Sequence, residues 1–329
     1  KRERKRELCE TMASRASSSC AYDLVFLGTG VSTGIPRTGC VLRKDEQGCP
    51  VCHRAWQNPM DPNYRCNVSA LVRRRDEATG ETMSLMIDAG KTMRDAVLRW
   101  FPRFDVRGID ALLLTHGHAD AVGGIDDLRD LQIVNYEIGA DGQISQFKIA
   151  KELPVYLNQA TFDVCKGAYP YLVKELQNDS CPRRIANLRW EVVENDVPFE
   201  IEGLEVIPLP VLHGGDYICL GFCFGGGKFI YLSDVSEVQP HIMRQLEAYE
   251  IEILVLDCLD KSTSPSHFCY PQSLQLARHL RPKRTLLVGM SCDLGLHEEV
   301  NEELGALKQS EGLDIQLARD GLSIDLPQL

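Results

Sequence analysis

The residues with the clearest capacity for chemistry form one short run, Thr115-His116-Gly117-His118-Ala119-Asp120. Two imidazoles one residue apart, with a carboxylate from the same turn, can aim nitrogen and oxygen donors at one point. Such a mixed set suits zinc, manganese or iron. The alternative is a pair of surface histidines on a loop, and the flanking sequence weighs against it. Ala111 to Leu114 is apolar and runs straight into the polar turn, which is the pattern of a buried strand. Open sheets place their chemistry at such carboxyl ends. Gly123-Gly124 then opens what reads as a helix through Arg129.

A second donor set lies in Gly48-Cys49-Pro50-Val51-Cys52-His53. A CxxC between turn residues reads as a metal knuckle or a redox pair. Cys40 could add a third thiolate, with a fourth ligand to come from elsewhere. The chain has 13 cysteines, and Cys165, Cys219, Cys223 and Cys258 sit singly in apolar stretches as small core residues. No secretory pattern is visible, so a reducing, cytoplasmic setting is expected. Organelle targeting by the N-terminal tail is left open.

The elements around these donors follow from patterning. Tyr22–Leu27 reads as a strand ending in Gly28-Thr29-Gly30. Gly34-Ile35-Pro36 then stands where a dinucleotide fingerprint would start its helix, so that reading is set aside. Asn67–Arg73 and Met83–Ile87 read as paired strands, and Thr92–Trp100 as a helix beneath the histidine turn. Tyr136–Gln146, with Gly139 and Gly142, reads as a hairpin or surface insertion. Leu153–Leu157 is a strand and Phe162–Leu176 a helix. Leu188 to Phe224 is strand after strand, and Lys228–Leu232 ends in Ser233-Asp234. Val238–Ala248 and Pro271–Leu280 read as helices around a buried strand, Ile251–Leu256. Thr285–Val288 is the last clear core strand. This order predicts an α/β chain of two sheets packed face to face with helices outside.

Length and composition bound the function. With 329 residues, 44% of them hydrophobic, the chain can bury a large core. A net charge of −11 argues against a general nucleic-acid binder. It does not exclude an anionic substrate, because a divalent metal reverses the local field. No apolar run approaches the roughly 20 residues of a membrane helix, so no membrane partner is expected. Residues 1–21, charged and then Ser-rich, read as a flexible tail, leaving 22–329 as one domain.

At this point THGHAD resembles the HxHxDH motif of the metallo-β-lactamase fold hydrolases. LGTG at 27–30, IDAG at 87–90, His213 and Ser233-Asp234 stand in the expected order, over residues 22 to 300. HAD followed by GIDDLR is similar to the phosphodiesterase branch that includes the phosphoribosyl 1,2-cyclic phosphate phosphodiesterases. The resemblance implies a metallo-β-lactamase-like αββα four-layer sandwich and metal-assisted hydrolysis by activated water. The substrate it implies is a small cyclic or nucleotide-like phosphodiester, and the cofactors are one or two divalent metals, zinc or manganese. It implies that His116, His118 and His213 bind the first metal, that Asp234 bridges, and that catalytic Asp120 belongs to the second metal. His267 would protonate the leaving oxygen, the alternative being a capping or solvent-facing histidine.

The chain departs from the motif twice. Ala121 replaces its final histidine, and Gly289 stands where a late histidine is expected. Three outcomes follow: one metal suffices, Asp127 replaces a ligand, or the chain is a metal-binding scaffold without activity. Asp126 and Asp127 also read as acids at a helix N-terminus. The same branch implies a structural zinc, here on Cys40, Cys49, Cys52 and Cys292. The alternative is a reduced CxxC with unrelated core cysteines. Lys91, Arg94 and Arg129 are candidate phosphate contacts or solvated charges. A transfer-RNA 3′ processing nuclease of the same fold is a further reading. The acidic balance and the lack of a basic, glycine-rich arm argue against it, and no nucleic-acid partner is expected. A homodimer is left open.

Overall fold

The structure, a computed structural model, describes residues 20–43, 48–132, 134–138, 144–149, 151–173 and 185–329. Most of the expected tail, and Gly139 and Gly142 of the expected insertion, lie outside the described residues. In chain order the strands begin with β1 (Cys20–Gly28), β2 (Ser69–Asp76), β3 (Thr82–Ile87), β4 (Ala111–Leu113), β5 (Val134–Ile138) and β6 (Ile144–Ile149). They continue with β7 (Leu153–Leu157), β8 (Leu188–Val192), β9 (Phe199–Ile201), β10 (Leu204–Leu212) and β11 (Ile218–Phe224). The last are β12 (Phe229–Leu232), β13 (Ile253–Asp257), β14 (Arg284–Val288), β15 (Ile315–Leu317) and β16 (Ser323–Leu326).

Among the described residues these form two seven-stranded sheets, ordered β16-β1-β2-β3-β4-β7-β8 and β15-β14-β13-β12-β11-β10-β9, with β5-β6 as a separate ribbon. Both sheets are mixed. β3, β4, β7 and β8 pair in parallel, as do β12 to β15, while the remaining neighbours are antiparallel.

The four layers follow from side-chain alternation, since successive residues of a strand face opposite sides. Leu24 and Phe26 of β1 point into the core between the sheets, with Val72, Leu85, Leu113, Phe222, Tyr231, Val255 and Leu286. Val25 and Leu27 point the other way, into an apolar layer under the helix Met93–Trp100. Leu254, Leu256 and Leu287 pack outward against the helices Pro240–Glu247, Tyr270–Leu280 and His297–Glu311. Strands buried on both faces need near-continuous apolar runs, and ILVL and TLLV are such runs. The architecture is the expected α/β sandwich, with helices on both outer faces.

Several boundaries differ from expectation for physical reasons. β1 starts at Cys20 because its first residues pair with Arg75 and Asp76 of β2. The helix expected over Phe162–Leu176 runs Gln159–Ala168 instead. The Asn158 carboxamide caps its start by accepting from Thr161 N at 2.8 Å. Pro170 cannot continue it, and residues 174–176 lie outside the described residues. The stretch around Cys40 and Cys49 contains two helices, Thr38–Leu42 and Pro50–Gln57. Beyond β14 the chain adds the helix His297–Glu311, β15 and β16, and β16 closes the first sheet by pairing with β1.

Candidate metal centre

The carboxyl ends of β3, β4, β12 and β13 converge on one rim, and each delivers a polar residue there. Asp88 follows β3, Thr115 to Asp120 follow β4, Asp234 follows β12, and Asp257 ends β13. His213 comes from the end of β10, and His267 precedes the helix Tyr270–Leu280. His116, His118 and His213 bring ring nitrogens within 4.8 Å of one another, as do the donor sets His116–Asp120–Asp234 and His213–Asp234–His267. His116, His118 and Asp120 thus share the turn after β4, and His213, Asp234 and His267 join them from distant parts of the chain.

Local packing explains the turn. The Asp120 carbonyl lies over Gly90, where an added Cβ would sit 1.8 Å from that oxygen. The IDAG glycine therefore lets the β4 turn close onto β3. Asp88 accepts from Thr115 N and from Thr115 Oγ1, both at 2.8 Å, and Thr115 Oγ1 lies 2.8 Å from His116 Nδ1. This chain fixes the His116 ring, as outer partners of a ligand histidine do. Burial lowers the His116 pKa to about 4, so the ring is neutral at neutral pH. Its Nε2 is buried with no hydrogen-bond partner among the described residues, and a cation would satisfy that lone pair. His213 Nδ1 donates to the Ser266 carbonyl at 2.7 Å, leaving Nε2 as the ligand atom. Burial lowers its pKa too.

The carboxylates differ in charge state. Burial pushes Asp234 up, but His116, His213 and His267 outweigh it and hold the group below the usual range. Asp120 is raised by burial and by Asp234, and lies 4.0 Å from His116 Nε2. The donor set, three imidazoles with a retained carboxylate, fits a divalent cation.

Two residues that sequence reasoning missed complete the site. Asp257, fully buried, accepts from His267 Nδ1 at 2.9 Å and from Val235 N at 3.2 Å. Burial opposes charge on His267, but this bond and the nearby carboxylates raise its pKa to about 9. Asp257 had a legible signal: like Asp88 and Asp234, it is an acid at the end of an apolar strand. Tyr217 stacks on His118 with ring centroids 4.8 Å apart, and its Oη accepts from Gly117 N at 3.0 Å.

Other predicted residues are placed elsewhere. Asp127 lies on the 3₁₀ turn Ile125–Asp130 and joins none of the donor groups. Its neighbour Asp126 pairs with Arg129 and accepts from Tyr171 Oη at 2.9 Å, so Arg129 is engaged within that turn. Arg94 is exposed on its helix beside Asp95. Lys91 is exposed on the wall of a cleft of about 540 Å³, with Thr33, Arg37, Arg43 and Asp293.

Cys40, Cys49, Cys52 and Cys292 bring their sulfurs within 4.8 Å of one another. Cys49 Sγ accepts from Cys52 N at 3.4 Å, and Cys52 Sγ from Arg37 N at 3.3 Å. A thiol hydrogen bond from Cys52, with help from Arg37, lowers the Cys292 pKa to about 5. Cys165, Cys219, Cys223 and Cys258 are buried, as small core residues should be. No described helix is long and apolar enough to cross a membrane.

Comparison with known proteins agrees with this geometry. A solved structure described as a new diphosphatase from the PhnP family superposes with a TM-score of 0.69 at 29% identity, covering 93% of this chain and 98% of that one. Zinc-bound PqqB from Methylobacterium extorquens gives 0.63 at 17% identity over 92% of this chain and 100% of that one, a likeness of fold. A curated octanoyltransferase of Porphyromonas gingivalis is 25% identical over 91% of this chain, which spans only 52% of that relative. Residues 84–290, more than half of the chain, match the Beta-lactamase superfamily domain. The chain therefore belongs to the β-lactamase superfamily, with the metallo-β-lactamase fold and a likeness to the PhnP family.

Proposed function

We propose that the chain hydrolyses a small phosphodiester, cyclic or nucleotide-like, at the His116–His118–His213–Asp234 centre. The observation that carries this reading is His267, locked by a buried carboxylate and set beside the histidine donors. Its Nδ1 lies 3.9 Å from Asp234 Oδ1, and its ring centroid lies 4.7 Å from that of His213. A cation there, zinc or manganese, would polarise the phosphoryl oxygens and acidify a water. His116 and His213 present neutral Nε2 atoms to hold it, and Asp234 offsets its charge. Asp120 lies in place to accept a proton from the attacking water. His267, kept protonated by Asp257, donates a proton to the departing oxygen. The likeness to a PhnP-family diphosphatase supports phosphorus chemistry over other hydrolyses of this fold.

The cysteine cluster we assign to structural zinc. Four sulfurs within reach of one ion, with backbone amides donating to two of them, favour thiolates in a closed tetrahedral site. It would tie the segment Thr38–Gln57 to the turn after β14, beside the rim.

A substrate panel tests the reading: bis(p-nitrophenyl) phosphate, p-nitrophenyl phosphate, nitrocefin and S-lactoylglutathione, each with manganese or zinc. The expected result is preference for the diester, lost in His116→Ala. Hydrolysis confined to the lactam or the thioester would refute phosphodiester chemistry. Failure on all four under every metal would favour a metal-binding scaffold.

A further inference from the structure

We infer that the rim centre holds one divalent cation rather than two, and that Asp257 occupies the space a ligand to the second would need. The inference rests on the metal centre proposed above. In the motif this chain resembles, the second cation relies on histidines at the positions of Ala121 and Gly289. Neither position accommodates one here.

Ala121 is 1% exposed and belongs to the apolar layer that holds Ala89, Met93 and Val122. Its N–H donates to the His118 carbonyl at 2.9 Å and its carbonyl accepts from Ala89 N at 2.7 Å, so the turn is pinned from both sides. Gly289 has φ +75°, and a Cβ added to it would sit 2.3 Å from Asp257 Oδ1. A side chain there meets a left-handed backbone and a carboxylate together. Asp257 cannot swing aside cheaply, because Oδ2 is held by Val235 N and His267 Nδ1.

The donors that remain cannot fill two sites. A zinc centre takes at least three protein ligands. His118, His213, His116 and Asp234 satisfy one cation. His267 groups with His213 and Asp234 but not with Asp120, and the single free lone pair of His116 Nε2 serves one cation only, so a second cation at Asp120 would have only that carboxylate and a shared Asp234. Asp127, the replacement ligand considered from sequence, joins no donor group.

Manganese separates this centre from the cysteine cluster, because thiolates select softer ions. The full chain is loaded with excess manganese and desalted. Manganese per chain is then measured by elemental analysis, and its electron paramagnetic resonance spectrum is recorded. One equivalent with the six-line signal of an isolated ion is expected. Two equivalents with an exchange-coupled spectrum would overturn the inference; if diester hydrolysis persists, the proposed function survives. With zinc instead, two equivalents are expected, one of them lost in Cys292→Ser, and three would overturn the inference. No bound metal beyond the cysteine equivalent would overturn both.

Discussion

Replacing His297 by glutamine tests how the C-terminal helix is locked to the rest of the fold. His297 opens the helix His297–Glu311 and is 8% exposed. Its N–H donates to Asn63 Oδ1 at 2.9 Å. Asn301 Oδ1 accepts from Leu317 N at 2.8 Å, so Asn301 turns its amide nitrogen to His297 Nε2 at 2.9 Å. Nε2 must then accept, and the ring is neutral with its proton on Nδ1. Burial, with Arg65 and Arg319 nearby, lowers its pKa to about 4 from an ordinary 6.5. The unfolded chain takes up the proton first as pH falls. This contribution to stability is therefore complete above pH ~6.5 and is lost between there and pH ~4. At about 1.36 kcal/mol per unit, the loss is about 3 kcal/mol over the window and about 2 kcal/mol by pH 5. Urea unfolding of wild type and His297→Gln at pH 7.5 and 5.0 reads it directly. Glutamine keeps an acceptor for Asn301 but does not titrate. Wild type should lose about 2 kcal/mol more than the variant between the two pH values. Parallel losses would refute the buried, neutral assignment.

Further outcomes follow from the site. Asp257→Asn removes the carboxylate that keeps His267 protonated. Hydrolysis of an alkyl diester should fall by about 10²-fold or more, while p-nitrophenyl esters, whose leaving group needs no proton, fall much less; equal losses in kcat would count against His267 as the acid. Tyr217→Phe removes the acceptor for Gly117 N. It should cost about 1 kcal/mol in thermal unfolding and weaken metal binding about tenfold in chelator competition, and unchanged affinity would exclude a positioning role. Cys292→Ser should lower both zinc content, by one equivalent, and Tm; full zinc retention would remove the four-cysteine site.

The parts of the fold that were legible are those whose pattern is dense. The runs ILVL, TLLV and LVFL can only be strands buried on both faces, and their polar termini marked the rim. The helix His297–Glu311 was not legible, because only His297, Val300 and Leu304 of its fifteen residues are buried. β16 is four residues long at a sheet edge. The histidines and Asp234 were readable from their order along the chain. Their second layer was only half readable: Asp257 sits at a strand end like the other acids, but Tyr217 follows a Gly-Gly-Asp turn with nothing to mark it. The loss at Gly289 was visible in sequence, whereas its cause, the carboxylate of Asp257 against that glycine, exists only once β13 and β14 lie side by side. Cys292 joins cysteines some 240 positions away, which no local spacing predicts and only the resemblance implied.

The most direct measurement is a metal titration of activity. Protein stripped at the rim, with its cysteine-site zinc retained, is titrated with manganese or zinc while bis(p-nitrophenyl) phosphate hydrolysis is followed, with His118→Ala in parallel. No hydrolysis at the start is expected, then a rise that saturates at one equivalent, and none at any metal concentration in His118→Ala. Full hydrolysis by the stripped protein, or undiminished hydrolysis by His118→Ala, would contradict the proposed centre.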